Sequence, residues 1–574
     1  MAPERAFERA APRGPQLPVG VAPKWTGARR ARSDSGETRN DNDRRRLRLH
    51  FFRRPRAAPV CLARRRAMVA SGSPPPPGLA DIPGLVRAPN GGGVSWTPDE
   101  DPSGSAAAVS GPAARAPPLG PRLGTLRTPR GSFPTPALLT YTRRGEPAFL
   151  TPDVLALLPA TALAFQTSLV HFMDHLPPSH VGDCPGGGRA YFGCRPAFVL
   201  ASARDPISFD LNAKPSNDAR STFVGTPVGV KKITLDEYAA WAEATQPDAF
   251  VALADELPCA APAKKLAASV ERATEWLVEQ VERSAREPEK IPPVFASVQG
   301  GADERLRRRS AETAARLLSR GERAESSEDP PPGGDDASAR ERERVAAAFR
   351  ARVVGFSVGG LGTEEAPGAQ REALLRASLE PLPAHLPRHV AGLGAPQEAL
   401  RLMALGVDLI DASFCHACTR QNLALCFPLD EPEEARGDGD GVSTKKRRRD
   451  AEDAPKTLLS DKDASEKDEK DASDALLAGA TPFAINLLAT AHARDRAPFA
   501  PGCECFSCAN HSRAYAHHLL QCHEMTAQVL IDAHNLHHYH AWFDAARRAM
   551  REKRFERFAE FHRARFAEEE DPAE

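Results

Sequence analysis

Three cysteines fall within six residues, at Cys503, Cys505 and Cys508. Three thiolates at that spacing can turn onto one tetrahedral zinc ion, with a fourth ligand drawn from elsewhere in the chain. Donors for the fourth place are plentiful downstream. His517, His518, His523, His534, His537, His538 and His540 all lie within 512–550, a stretch with helical periodicity. A closed structural site needs only one of them, and the residue types alone do not choose. Free thiols beside surface histidines is the bland alternative. A disulfide is a poorer reading, because Cys503 and Cys505 are too cramped to bridge easily and the total of 11 cysteines is odd. A second Cys-x2-Cys pair, Cys415 and Cys418, has no matching pair at zinc-finger spacing and reads as two incidental loop cysteines.

Such a site needs a scaffold, and the middle of the chain supplies one. Strand-like 249–253 precedes helix-like 261–286, 293–298 precedes 302–318, and 353–358 precedes 370–379. Then 389–392 precedes 396–405, with strand-like 407–410 following. Strand then helix, repeated, predicts parallel βαβ units with right-handed crossovers. A barrel is favoured over an open sheet because small or polar residues stand at the strands' C-terminal ends: Asp255, Gln299-Gly300-Gly301, Gly359-Gly360 and Asp411. That end is where barrel enzymes place their sites. The fold class expected is therefore α/β, a (β/α)8 TIM-type barrel.

The flanks read differently. The 574 residues include 53 prolines, about twice the ordinary share, and 76 Lys+Arg balance 76 Asp+Glu. That balance argues against a surface built wholly for polyanions, while leaving local patches open. No apolar run approaches the ~18–20 residues that span a bilayer. Residues 1–120 form an Arg- and Pro-rich stretch expected to be disordered, with an excess of positive charge over its first seventy positions. It reads as a solvated tail, as sequence upstream of a start at Met68, or as a transit peptide, the last weakened by Glu4, Glu8, Asp34 and Glu37. The expected barrel spans 121–427 with a disordered insertion near 320–343. A charged insertion follows at 428–475, and a zinc subdomain with C-terminal helices at 476–565. The run Lys445-Lys446-Arg447-Arg448-Arg449 fits a nuclear signal, or more simply a solvated charge cluster.

The segment Gly502-Cys503-Glu504-Cys505-Phe506-Ser507-Cys508-Ala509-Asn510-His511-Ser512-Arg513, continuing to Ala533-His534-Asn535-Leu536, resembles the zinc subdomain of tRNA-guanine transglycosylases. Upstream, Gln246-Pro247-Asp248, Ala254-Asp255-Glu256, Val298-Gln299-Gly300-Gly301, Val358-Gly359-Gly360-Leu361-Gly362 and Gly406-Val407-Asp408-Leu409-Ile410-Asp411 are similar to that family's barrel segments in the same order. The resemblance covers roughly 120–565. It implies a barrel with the zinc subdomain inserted near its end, and one structural zinc ion on Cys503, Cys505, Cys508 and His534. It places Asp411 at the nucleophile position, and Asp255, Gln299, Gly359 and Gly360 at base-recognition positions.

Two departures qualify it. Catalytic members carry Asp-Ser-Gly-Gly-Phe-Gln where this chain has Ala201-Ser202-Ala203-Arg204-Asp205-Pro206. They carry Pro-Thr-Arg after the nucleophile where this chain has Ala412-Ser413-Phe414-Cys415-His416-Ala417. Segments 411–427 and 481–487 look more like the family's eukaryotic accessory subunits. That implies a non-catalytic role, tRNA as a bound partner, and a catalytic queuine tRNA-ribosyltransferase subunit completing a heterodimer that exchanges guanine for queuine at the tRNA wobble position. Asp411 would then be a strand-end residue rather than a nucleophile. The alternatives are an active transglycosylase using Asp411, and an RNA- or protein-binding zinc module unconnected with base exchange. A cytoplasmic location is expected, with mitochondrial association through the Arg-rich start as the variant.

Overall fold

The computed structural model describes residues 93–99 and 119–566, apart from 208–219, 320–335, 363–367, 433–482 and a few gaps of one or two residues. Eight parallel strands close into a barrel in sequence order: β1 (Ala137–Thr142), β2 (Ala164–Ser168), β3 (Phe198–Ser202), β4 (Ala249–Val251), β5 (Val294–Val298), β6 (Val353–Val358), β7 (Arg388–Val390) and β8 (Leu409–Asp411). The ring closes where Leu409, Ile410 and Asp411 pair with Ala137, Leu138 and Leu139. β5 is buried along its whole length, as a parallel strand covered on both faces must be. Helix Ala263–Arg286 shows how the outer layer forms. Leu266, Val270, Ala273, Leu277 and Val281 recur every three or four residues and bury one face against the barrel.

The N-terminal end of the barrel is stoppered by an antiparallel sheet of Ser95–Pro98, Gly124–Thr128 and Gly131–Thr135. Trp96, Leu126 and Phe133 meet Phe198, Phe295 and Leu409 in one apolar cluster. Strand Ser95–Pro98 corrects the expected boundary at 120. Its indole donates to Thr135 Oγ1 at 3.0 Å, and the Arg122 guanidinium sits over the ring at 4.5 Å. Residues 1–92 lie outside the described residues, as do 433–482 with the Lys445–Arg449 run.

Three further expectations need correction. Helix Asp336–Arg352 begins inside the expected 320–343 insertion and buries Ala346 and Phe349. The periodic stretch 512–550 is two helices, Arg513–Gln521 and Thr526–Arg551, parted near His523, whose φ of 56° is left-handed. Cys415 and Cys418 are not in a loop; they lie buried on helix Ser413–Arg420.

The subdomain after β8 begins earlier than 476, because Leu423–Leu425 pairs with Ala484–Asn486. Its long helix, Thr526–Arg551, belongs to both parts of the fold. Leu530 and Ile531 pack in the subdomain core, whereas Tyr539, Trp542, Phe543 and Ala546 join the barrel core. His540 on the same helix lies between Thr140 of β1 and Thr161, at 3.4 and 3.2 Å. Among the described residues no helix is long and apolar enough to cross a membrane.

Candidate metal centre and barrel mouth

Cys503 and Cys505 lie on the turn leading into the short helix Phe506–Asn510, which carries Cys508. Ser507 Oγ donates to Leu530 O at 2.7 Å, tying that helix to Thr526–Arg551 and so to His534. The three Sγ atoms lie 3.6, 3.5 and 3.3 Å from His534 Nδ1, and all four donor atoms fall within 4.8 Å of one another. Ligands bonded at about 2.3 Å (sulfur) and 2.0–2.1 Å (nitrogen) to one tetrahedral ion stand roughly 3.6 Å apart, so the set fits a Cys3His site. The other ring nitrogen, Nε2, is 2.7 Å from Leu425 O, which fixes Nδ1 as the metal-facing atom. The thiols hydrogen-bond one another, which holds Cys508 below its usual range and pushes Cys503 above it, so one thiolate is shared among its neighbours. Among the described residues this is the one such cluster of metal-binding side chains.

The barrel's C-terminal mouth holds the other candidates, and it is largely closed. Asp411 is fully buried at the end of β8. Its Oδ2 accepts from Gly392 N–H at 2.7 Å and its Oδ1 from Ser413 N–H at 2.9 Å. Burial raises its pKa, with those hydrogen bonds working in the other direction. Asp255 is also buried and is paired with Arg272, whose Nε lies 2.8 Å away. Gln299 donates through Nε2 to Glu256 Oε1 at 3.1 Å. Gly359 and Gly360 offer their carbonyls to Arg307, which also holds Gly301 O, so one buried guanidinium fixes two glycine-rich loops. A cavity of about 50 Å³ remains, lined in part by Ser202, Arg204, Glu256, Ser357, Gly359 and His389. Ordinary ligand pockets measure about 300–1,000 Å³.

A sequence model of queuine tRNA-ribosyltransferase matches residues 119–323 and 330–568. The chain belongs to the queuine tRNA-ribosyltransferase family. A queuine tRNA-ribosyltransferase accessory subunit 2 from Xenopus laevis is 28% identical over 456 residues, covering 77% of this chain and 97% of that protein. The accessory subunit 2 of Pongo abelii is 27% identical over 426 residues, 72% of this chain and 89% of that one. A queuine tRNA-ribosyltransferase of Thermus thermophilus is 26% identical over 453 residues, 79% and 93%.

In this member of the queuine tRNA-ribosyltransferase family, the fold gathers Gln299, Gly359 and Gly360 around the mouth and turns Asp255 toward a helix. Sequence reasoning missed the residues that fill the mouth. Arg204 Nε lies 2.6 Å from Glu256 Oε2, and its Nη2 donates to Glu256 O at 2.9 Å. It also missed a network at the ends of β1, β2 and β3. Tyr141 OH donates to Asp205 Oδ1 at 3.0 Å, and His171 Nε2 lies 2.8 Å from Asp205 Oδ2. Burial opposes ionisation of Asp205, yet His171, the Ile207 N–H and Tyr141 together hold its carboxyl below the usual range. The departure from the family pattern at 201–206 was the available signal, since it put Arg204 and Asp205 at a strand end. The Cys415 and Cys418 thiols are pushed up by burial, Cys418 to about 12, which suits packing better than redox work.

Proposed function

We propose that this chain is the non-catalytic subunit of a heterodimeric queuine tRNA-ribosyltransferase, which exchanges guanine for queuine at the wobble position of tRNAs with GUN anticodons. The observation that carries this reading is the closed barrel mouth. Base exchange needs a free carboxylate to attack the ribose and an open pocket to hold the flipped base. Here Asp411 is fully buried with each oxygen held by a backbone N–H group, and Arg204 with Glu256 occupies the space beside Gln299 and Gly359. The relatives named accessory subunit 2 support the same reading.

In this reading the metal on Cys503, Cys505, Cys508 and His534 is a single zinc ion. When bound, it supplies the charge that keeps three thiolates together and cross-links the cysteine turn to the long helix. The chain's own part is to present a folded surface to a catalytic partner and to steady tRNA by phosphate contacts. The location proposed is cytoplasmic, with mitochondrial association if residues 1–67 act as an address. Fluorescent fusions with and without those residues test that point.

The deciding experiment is labelled-guanine exchange into tRNA by the purified chain alone, by a catalytic subunit alone, and by both together. Exchange is expected only where the catalytic subunit is present, and co-purification of the two is expected. Turnover by the lone chain would overturn the proposal in favour of the Asp411 enzyme.

A further inference from the structure

The barrel mouth is closed by an ion pair set among buried apolar side chains such as Val224, Leu253 and Leu361. Arg204 stands two residues beyond β3, and its side chain and that of Glu256 are only 16% and 14% exposed, whereas an ordinary surface pair such as Arg308–Glu380 is 46% and 42% exposed. Glu256 meets the guanidinium with two acceptors, its carboxylate Oε2 at Nε and its backbone carbonyl at Nη2. Its remaining oxygen, Oε1, is steadied by Gln299 Nε2. The neighbouring backbone is shaped to the cradle. A Cβ on Gly359 would lie 2.5 Å from Gln299 Nε2 and 2.7 Å from Glu256 Oε1, so only glycine leaves those groups in place. His389 lines the same small cavity, and its buried Nε2 has no hydrogen-bond partner among the described residues.

We infer that the mouth of this barrel is a guanidinium-binding site whose resident ligand is the chain's own Arg204. The chemistry it selects is a planar cation with adjacent in-plane N–H donors, a guanidinium or an amidinium, held by a fixed carboxylate and carbonyl. This deepens the non-catalytic reading, because the site is filled from within.

The test is chemical rescue on the full chain. Arg204→Ala removes the two methylenes and the guanidinium, which together are the atoms of N-ethylguanidine. That compound is expected to bind the variant saturably in the millimolar range by calorimetry and to raise its Tm toward the wild-type value. Affinity for the wild type, and for the double variant Arg204→Ala/Glu256→Gln, is expected to be weaker by at least about tenfold. Ethylammonium and urea at equal concentration should not substitute. Where the alanine variant does not fold, Arg204→Val keeps the stem as far as Cγ, and N-methylguanidine, which supplies the missing δ-carbon and guanidinium, is the probe, with the same expected result. A folded variant that shows no saturable binding, or that binds no better than wild type, overturns the inference. Either result leaves the non-catalytic reading intact, whereas guanine exchange by the lone wild-type chain would remove that reading without touching the rescue.

Discussion

Substitution of Asp411 separates a nucleophile from a buried cap. The carboxylate is fully buried and accepts from Gly392 N–H at 2.7 Å and Ser413 N–H at 2.9 Å. A buried donor left without a partner costs about 1–3 kcal/mol. Asp411→Ala orphans both donors, so a loss of about 2–6 kcal/mol is expected. Asp411→Asn keeps one carbonyl oxygen and turns an amide NH2 toward the other donor, so about 1–3 kcal/mol is at stake. That variant also removes a charge that burial disfavours, which offsets part of the cost. The order expected in urea denaturation is therefore wild type, then Asn, then Ala. Guanine exchange by the complex with a catalytic partner is then measured at a temperature where all three are folded. Exchange per folded complex is expected to be equal for wild type and Asp411→Asn. If exchange collapses in Asp411→Asn while its unfolding midpoint stays at the wild-type value, the carboxylate is chemical and the reasoning fails.

Cys505→Ser is expected to abolish metal binding, so elemental analysis should fall from about one zinc ion per chain to none, with a stability loss above the ~1 kcal/mol of an ordinary substitution. Metal retained at the wild-type ratio would show that the ligand set is wrong. Asn535→Ala should cost about 2–5 kcal/mol, because Asn535 accepts from Leu425 N–H at 2.9 Å and donates to Leu423 O and Thr419 Oγ1. Hydrogen exchange should then show lost protection at 423–425. Burial lowers His389 and His540 from 6.5 to about 3, so as pH falls the unfolded chain takes up their protons first. Their contribution is full above about pH 6.5 and is lost toward pH 3, at about 1.4 kcal/mol per pH unit for each. Urea titrations between pH 7 and pH 5 should show stability falling with pH, and the double variant His389→Gln/His540→Gln should flatten that fall by about 2 kcal/mol per pH unit.

Much of the fold is legible in the sequence. Parallel strands covered on both faces are short apolar runs, so 293–298 and 353–358 declared themselves as Val294–Val298 and Val353–Val358. The Cys3His cluster was legible because three of its four side chains sit in one turn, and the resemblance singled out His534 among seven downstream histidines. What was hidden depended on which way a side chain turns. Asp255 and Glu256 are neighbours just past β4, and the family resemblance pointed to Asp255; the fold gives Asp255 to Arg272 and aims Glu256 into the mouth. Strand Ser95–Pro98 has four residues and buries only Trp96, too little alternation to stand out from the polar stretch around it. The break near His523 was masked because the helical period resumes only a few residues later.

The long helix Thr526–Arg551 also sets the order in which the molecule can be completed. β8 ends at Asp411, but the helix that covers the seam between β8 and β1 begins at Thr526, 115 positions later (526 − 411). During synthesis every strand of the barrel has emerged while that seam still lacks its cover, and the missing helix also brings His534, the fourth side chain of the cysteine cluster. Assembly of the Cys3His cluster and burial of the seam thus become one late event, and until it happens the chain presents an apolar surface to proteases and chaperones. Chains stopped at 525 should be cut by protease along that seam, whereas chains stopped at 566 should resist.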